Sequence, residues 1–165
     1  MEKKDESVLN GKRVLIADDE PDVLETLEEL LSMCVVVKAS SFEEARKQLE
    51  TGSFDFAVLD IMGINGYKLL EIAADRNITA VMLTAHALTP EDTVRSFKEG
   101  AASYVPKDEI NNITTYLADI VDAKKRGKSL WWRWMDRMEK YYDAKFGPDW
   151  KKSDKEFWDK FTFYT

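Results

Sequence analysis

A chain of 165 residues with 24 basic and 31 acidic side chains, net −7, has the size for one domain with a real core plus a short appendage, and its acidic balance argues against general nucleic-acid binding. Its single cysteine, Cys34, excludes an internal disulfide and leaves a zinc site without thiolate ligands, so a reducing compartment is expected. The charged start Met1–Glu6 has no apolar run behind it, and no stretch reaches the roughly 18 apolar residues of a membrane span; a cytoplasmic location is therefore expected.

Up to about residue 123 the chain alternates short apolar runs with longer amphipathic segments, the pattern of parallel strands joined by crossover helices. Val14–Ala17 predicts the first strand, and Asp22–Ser32 a helix striped by Val23, Leu27, Leu30 and Leu31. Val35–Val37 is the second strand; Ser41 then caps a helix whose Phe42, Ala45 and Leu49 share a face. Phe56–Leu59 is the third strand, followed by a loop and a helix over Tyr67–Asp75. Ala80–Leu83 is the fourth, and Thr89-Pro90 opens the next helix with cap and first-turn proline in their preferred places. Ser103–Val105 is the fifth strand, leading to a helix over Ile110–Asp122 that carries Ile113, Leu117, Ile120 and Val121.

Strands this uniformly apolar are covered on both faces, so the expected class is α/β, an open parallel sheet flanked by helices, with its ligand at the carboxyl ends of the strands. At those ends stand Asp18-Asp19-Glu20, Asp60, Thr84-Ala85-His86 and Lys107. Clustered carboxylates repel, and protonation or a divalent cation relieves them. Mg²⁺ prefers oxygen ligands and takes one or two carboxylates plus phosphate oxygens, which suits Asp19 and Asp60 as direct ligands with Asp18 in support. Once that charge is offset, Asp60 can attack a phosphoryl donor, and the Thr84 hydroxyl and Lys107 ammonium can meet the remaining phosphoryl oxygens. His86, the only histidine, reads as a polar residue on an exposed loop.

In this order and on alternate elements, these residues resemble the receiver domain of two-component response regulators over about residues 11–123. The likeness is carried by Asp18-Asp19 after an apolar strand, Asp60 ending the third, Thr84-Ala85 ending the fourth, Gly100-Ala101 before the fifth, and Tyr104 and Lys107 on it. The resemblance implies a flavodoxin-like (βα)5 doubly wound sheet of strand order 2-1-3-4-5. It also implies a phosphoacceptor, not an enzyme in the ordinary sense, that takes a phosphoryl group on Asp60 from the phosphohistidine of a histidine kinase or phosphotransfer protein. The implied Mg²⁺ ligands are Asp18, Asp19, Asp60 and the Met62 main-chain carbonyl. Thr84 and Tyr104 would be the pair that shifts on phosphorylation and reports to a surface of the fourth helix, fifth strand and fifth helix. A hydrolase built on the acid cluster is the enzyme alternative, but the chain shows no second acid–base pair and no glycine-rich phosphate loop.

Two features depart from the family pattern. After Asp60 the chain reads Ile61-Met62-Gly63-Ile64-Asn65-Gly66, a shorter loop with two glycines where typical receivers place a Met-Pro pair, so ordering it costs more entropy. Lys107 is preceded by Pro106 and followed by Asp108, where the family usually has a proline after the lysine. Pro106 suits an edge strand, while Asp108 is expected to compete for the lysine ammonium. The same departures fit a second reading, a degenerate receiver that works as a non-phosphorylated interaction module.

The end of the chain differs in composition. Residues 128–165 carry a net charge of +2 against −9 for the rest, and hold twelve of the 19 aromatic residues, including all five tryptophans. The organisation read from this is an N-terminal tail over 1–10, the receiver over 11–123, a linker over 124–128 and an aromatic helical extension over 129–165. Ser129 is expected to cap a helix that Gly147-Pro148 stops after Phe146. Trp131, Trp134, Met135, Met138, Tyr142 and Lys145 share one face, with Arg133, Asp136, Arg137 and Lys140 elsewhere. Ser153-x-x-Glu156 reads as a capping box for a second helix bearing Phe157, Trp158 and Phe161. Such a hairpin either folds back on its own receiver or meets a partner or dimer mate; stacking on nucleic acid fits the scattered acids less well.

Overall fold

A computed structural model describes residues 5–85 and 89–164, with side chains through residue 161; His86 lies outside the described residues. Five parallel strands form one sheet in the order β2-β1-β3-β4-β5: β1 (Arg13–Ala17), β2 (Val35–Ala39), β3 (Phe56–Asp60), β4 (Thr79–Thr84) and β5 (Ser103–Pro106). Helices α1 (Pro21–Leu30), α2 (Phe42–Thr51), α3 (Gly66–Asp75), α4 (Pro90–Lys98) and α5 (Ile113–Arg126) alternate with them. This is the open parallel sheet expected from the apolar runs, in the flavodoxin-like order that the family resemblance implies. All of β3 is buried, as are Val14–Ala17 of β1, because helices cover both faces, whereas edge strand β2 is buried only at Ala39.

Local chemistry sets the helix starts. The Ser41 side chain accepts from the Glu44 N–H at 3.2 Å while the Glu44 carboxylate accepts from the Ser40 N–H at 2.8 Å. Thr89 caps α4 by accepting from the Asp92 N–H at 3.0 Å, with Pro90 in the first turn. In register, Ala17 pairs with Leu59, Asp60 with Leu83 and Thr84 with Pro106, which brings the carboxyl ends of β1, β3, β4 and β5 to one rim. Ahead of β1 a short 3-10 turn, Glu6–Leu9, buries Leu9, and Glu6 accepts from the Thr114 hydroxyl in the first turn of α5 at 2.6 Å.

Residues Lys107–Asn112 form a 3-10 turn, so α5 starts three residues later than the apolar pattern suggests. It then runs on to Arg126, where Gly127 adopts the left-handed conformation (φ +65°) that ends a helix.

Beyond it lie α6 (Trp134–Phe146) and α7 (Lys155–Tyr164). α6 starts at Trp134 because the Ser129 hydroxyl is spent on a local turn, accepting from the Trp131 N–H at 3.2 Å. At α7 the cap is Asp154, which accepts from the Phe157 N–H at 3.1 Å, while the Ser153 hydroxyl donates back to the Trp150 carbonyl at 3.2 Å.

The extension folds back on its own receiver. Trp134, Met135, Met138, Tyr142, Trp150, Trp158 and Phe161 are buried in the same core cluster as the sheet, against α4, β5 and α5. Trp131 and Trp134 donate their indole N–H groups to the carbonyls of Ala101 (3.0 Å) and Tyr104 (2.9 Å). Lys145 is exposed rather than on the inner face, whereas Arg137 turns inward and grips the buried Asp119 of α5 with two guanidinium nitrogens, Nη2 at 2.9 Å from Oδ1. A charged side chain at that depth is tolerated because the pairing is bidentate.

Candidate functional site

The rim residues sit where strands end, so each is held by a ladder behind it. Asp18 follows β1 and is fully buried; its Oδ1 accepts from the Glu20 N–H at 2.9 Å. Asp60 ends β3, is 5% exposed, and its Oδ2 accepts from the Gly63 N–H at 3.1 Å. Lys107, one residue past β5, extends its ammonium to Asp18 Oδ2 at 2.9 Å, Asp60 Oδ1 at 3.4 Å and Glu20 Oε1 at 3.6 Å. One ammonium thus faces a cluster of four acids once the exposed Asp19 is counted.

The charge balance shows in the proton affinities. Burial holds the Asp60 and Asp18 carboxyls above the ordinary carboxylate range, against the opposing pull of Lys107 and of the main-chain N–H groups they accept from. For Lys107, burial works to lower the ammonium's proton affinity, but Asp18, Asp60 and Glu20 together outweigh it and the net shift is upward. The lysine stays charged through the neutral range.

A cavity of about 190 Å³ opens here, lined by Asp19, Glu20, Asp60, Met62, Gly63, Ala85 and Lys107. Side-chain oxygens of Asp18, Asp19 and Glu20 lie within 4.8 Å of one another. That all-oxygen donor set fits a hard divalent cation such as Mg²⁺ and offers nothing to a softer metal. Thr84, 2% exposed, ends β4 beside Asp60 but does not line the cavity, which Ala85 reaches instead. Tyr104 lies one strand over, fully buried on the side covered by the extension. Met62 is on the rim with its side chain 67% exposed.

Both departures of the loop and lysine segments have a structural reason. A Cβ on Gly63 would stand 2.1 Å from Asp19 Oδ1, and one on Gly66 would stand 2.2 Å from the Asp60 carbonyl oxygen. These glycines let the short loop press against the acids, and Asn65, left-handed at φ +54°, turns it into α3. The expected competition by Asp108 does not arise: its carboxylate accepts from the Tyr141 hydroxyl of α6 at 3.1 Å, while Lys107 turns to the rim acids.

Sequence reasoning did not single out Glu20 as part of the lysine's surroundings, nor the Gly63 main-chain N–H as a donor to Asp60. The run Asp18-Asp19-Glu20 was the available signal for the first. Nothing in the residue order marks the second.

The model of the response regulator receiver domain matches residues 14–118. The chain belongs to the response regulator receiver family. Among curated relatives, the two-component response regulator ARR18 of Arabidopsis thaliana is 34% identical over 113 residues, 62% of this chain and 18% of the relative. The probable transcriptional regulator ycf27 of Guillardia theta is 38% identical over 101 residues, 58% of this chain and 39% of the relative. The chain therefore spans a minor part of the length of these response regulators. A CheY-like receiver domain from Methanospirillum hungatei has a TM-score of 0.64 at 25% identity, covering 72% of this chain and 99% of the other. Among the described residues of this receiver protein, no helix is long and apolar enough to cross a membrane.

Proposed function

We propose that this receiver is the phosphoacceptor of a two-component phosphorelay, with Asp60 the residue phosphorylated. The observation that carries the reading is the Lys107 ammonium within 3.4 Å of both the Asp18 and Asp60 carboxylates, beside a rim cavity that Asp60 and Lys107 line. Asp19, Asp60, Asp18 in support and the Met62 main-chain carbonyl would hold Mg²⁺, which supplies positive charge against the acids and the incoming phosphoryl oxygens. A carboxylate oxygen of Asp60 attacks phosphorus, the O–P bond forms as the N–P bond to a phosphohistidine breaks, and the donor imidazole leaves with the electron pair. Lys107 can leave Asp18 to meet a phosphoryl oxygen, and the Thr84 hydroxyl, at the adjoining strand end, meets another.

The donor is a histidine kinase or phosphotransfer protein, the setting the cytoplasm, and Thr84 with Tyr104 the pair that carries the change to the α4–β5–α5 face. The last helix of the receiver runs to Arg126, and the extension that follows it covers that face with Trp134, Tyr142, Trp150, Trp158 and Phe161. A partner or dimer contact through the extension would use its outer side, where Trp132 stacks under Arg133 at 4.3 Å, because Trp134 and Trp158 are spent on the receiver itself.

Incubation with Mg²⁺ and a small phosphodonor, followed by intact mass measurement, tests the reading. A gain of one phosphoryl group that Asp60→Asn abolishes supports it. No gain under any donor leaves the non-phosphorylated interaction module.

A further inference from the structure

The extension touches the receiver at the points from which the site is held. The indole of Trp134 donates to the main-chain carbonyl of Tyr104 at 2.9 Å, and the Tyr141 hydroxyl donates to Asp108 at 3.1 Å. These two contacts bracket Lys107, the lysine that reaches Asp18 and Asp60. About two turns along α6 from Trp134, Tyr142 enters the gap between α4 and β5 and is fully buried. Its hydroxyl lies 2.7 Å from Thr93 Oγ1, and Thr93 already donates its only proton to the Thr89 carbonyl at 2.7 Å, so Tyr142 is the donor. The Tyr104 hydroxyl meets the same Thr93 and the backbone of Thr89. Two tyrosines, one from the receiver and one from the extension, therefore converge on a single threonine of α4.

The remaining contacts make this grip a packed one. Phe97 of α4 meets Trp131, Trp134 and Phe161 with ring centroids 5.0 to 5.1 Å apart, and Arg137 anchors α6 to Asp119 of α5. Tyr104 is fully buried, its main-chain carbonyl bonded to Trp134 and its hydroxyl sharing Thr93 with Tyr142. The segment carrying Lys107 cannot shift without loosening a bond to α6.

We propose that the extension is a built-in effector of its own receiver: docked on the α4–β5–α5 face, it fixes Tyr104 inward and orients Lys107, so that docking and occupancy of Asp60 by a phosphoryl group strengthen each other. The proposal rests on the reading of Asp60 as phosphoacceptor. Lys107, braced on both sides by contacts to α6, stands 3.4 Å from Asp60 Oδ1, within reach of a phosphoryl oxygen carried on that carboxylate. Binding free energies are reciprocal, so whatever factor docking adds at Asp60, occupancy of Asp60 returns to docking.

The test uses the full chain with Mg²⁺ and beryllofluoride as the phosphoryl probe. Amide hydrogen exchange across 134–161 is measured with and without the probe, and probe affinity is compared between the wild type and Tyr141→Phe/Tyr142→Phe, which keeps both rings and removes the two hydroxyls. The expected results are slower exchange in α6 and α7 on addition of the probe and affinity at least about fivefold weaker in the variant, the lower end of usual coupling. Unchanged or faster exchange, or equal affinity in a variant of native circular dichroism, would overturn the coupling while leaving Asp60 as acceptor. Failure of the probe to bind the wild type at all would overturn both readings.

Discussion

Replacing Phe97 by alanine tests the docking of the extension most severely. Phe97 is 2% exposed and its ring stands 5.1 Å from Trp131, 5.0 Å from Trp134, 5.1 Å from Phe161 and 6.4 Å from Phe157, centroid to centroid. Truncating a buried phenylalanine costs about 3–5 kcal/mol. The upper end is expected, because edge-to-face ring pairs add about 0.5–1.5 kcal/mol each beyond their burial and four large rings from three segments cannot all collapse into one void. Against a native margin of about 5–15 kcal/mol this is a large fraction. With a urea slope of about 2 kcal/mol/M the unfolding midpoint should fall by about 2 M. All five tryptophans lie in the extension, so indole fluorescence follows docking while far-ultraviolet circular dichroism follows the whole helical content. Since extension and sheet share one core cluster, both signals should move together in the wild type and in the variant. A fluorescence midpoint unmoved by Phe97→Ala, or tryptophan emission already that of water-exposed indole in the native protein, would refute the docked arrangement.

Three further outcomes concern the rim. Mg²⁺ at about ten times its Kd should stabilise the protein by about 1.4 kcal/mol, a rise of a few degrees in Tm, and Asp19→Asn should remove most of that gain; a melting curve indifferent to Mg²⁺ up to about tens of millimolar would speak against a cation site. Gly63→Ala would press a methyl group to 2.1 Å from Asp19 Oδ1, so Mg²⁺ response and phosphorylation should both fall while circular dichroism stays native, and wild-type values for both would contradict the close-approach argument. Because burial raises the Asp60 carboxyl above its unfolded value, its contribution to stability is present below the ordinary carboxylate range and is lost as pH rises through the folded value. In Mg²⁺-free buffer, Asp60→Asn should therefore melt no lower than the wild type at neutral pH, with any advantage shrinking toward about pH 4, and a variant clearly less stable at pH 7 would show that Lys107 outweighs burial.

The strands and most helix starts were legible because local and tertiary demands agree there, while the strand order came from the family resemblance. Val14–Ala17 and Phe56–Leu59 are apolar at every position and occupy the middle of the sheet, and Thr89-Pro90 carries its cap in the chain itself. The acids and Lys107 were readable as a site for the same reason: strand ends in an open parallel sheet share a rim. What could not be read depended on distant partners. Arg137 looks like an outer-face residue until Asp119, 18 positions back, comes opposite it. Asp108 looks like a competitor for Lys107 until Tyr141 claims it. Ser129 and Ser153 both have the chemistry of a helix cap, but each hydroxyl is used in a turn before the helix, and at α7 the carboxylate of Asp154 takes the role. Gly63 and Gly66 read as freedom in a loop, whereas their use is to let that loop approach Asp19 and Asp60 more closely than any side chain permits.

The central claim is that Asp60 accepts the phosphoryl group, and chemical trapping tests it most directly. An aspartyl phosphate is an acyl phosphate, which borohydride reduces to the alcohol, leaving homoserine where the aspartate stood. After incubation with Mg²⁺ and a small phosphodonor, reduction and peptide mapping should find homoserine at position 60 and at no other acid, Asp18 and Asp19 included. Homoserine at a different position, or none anywhere while the untreated protein is folded and binds Mg²⁺, would contradict the account.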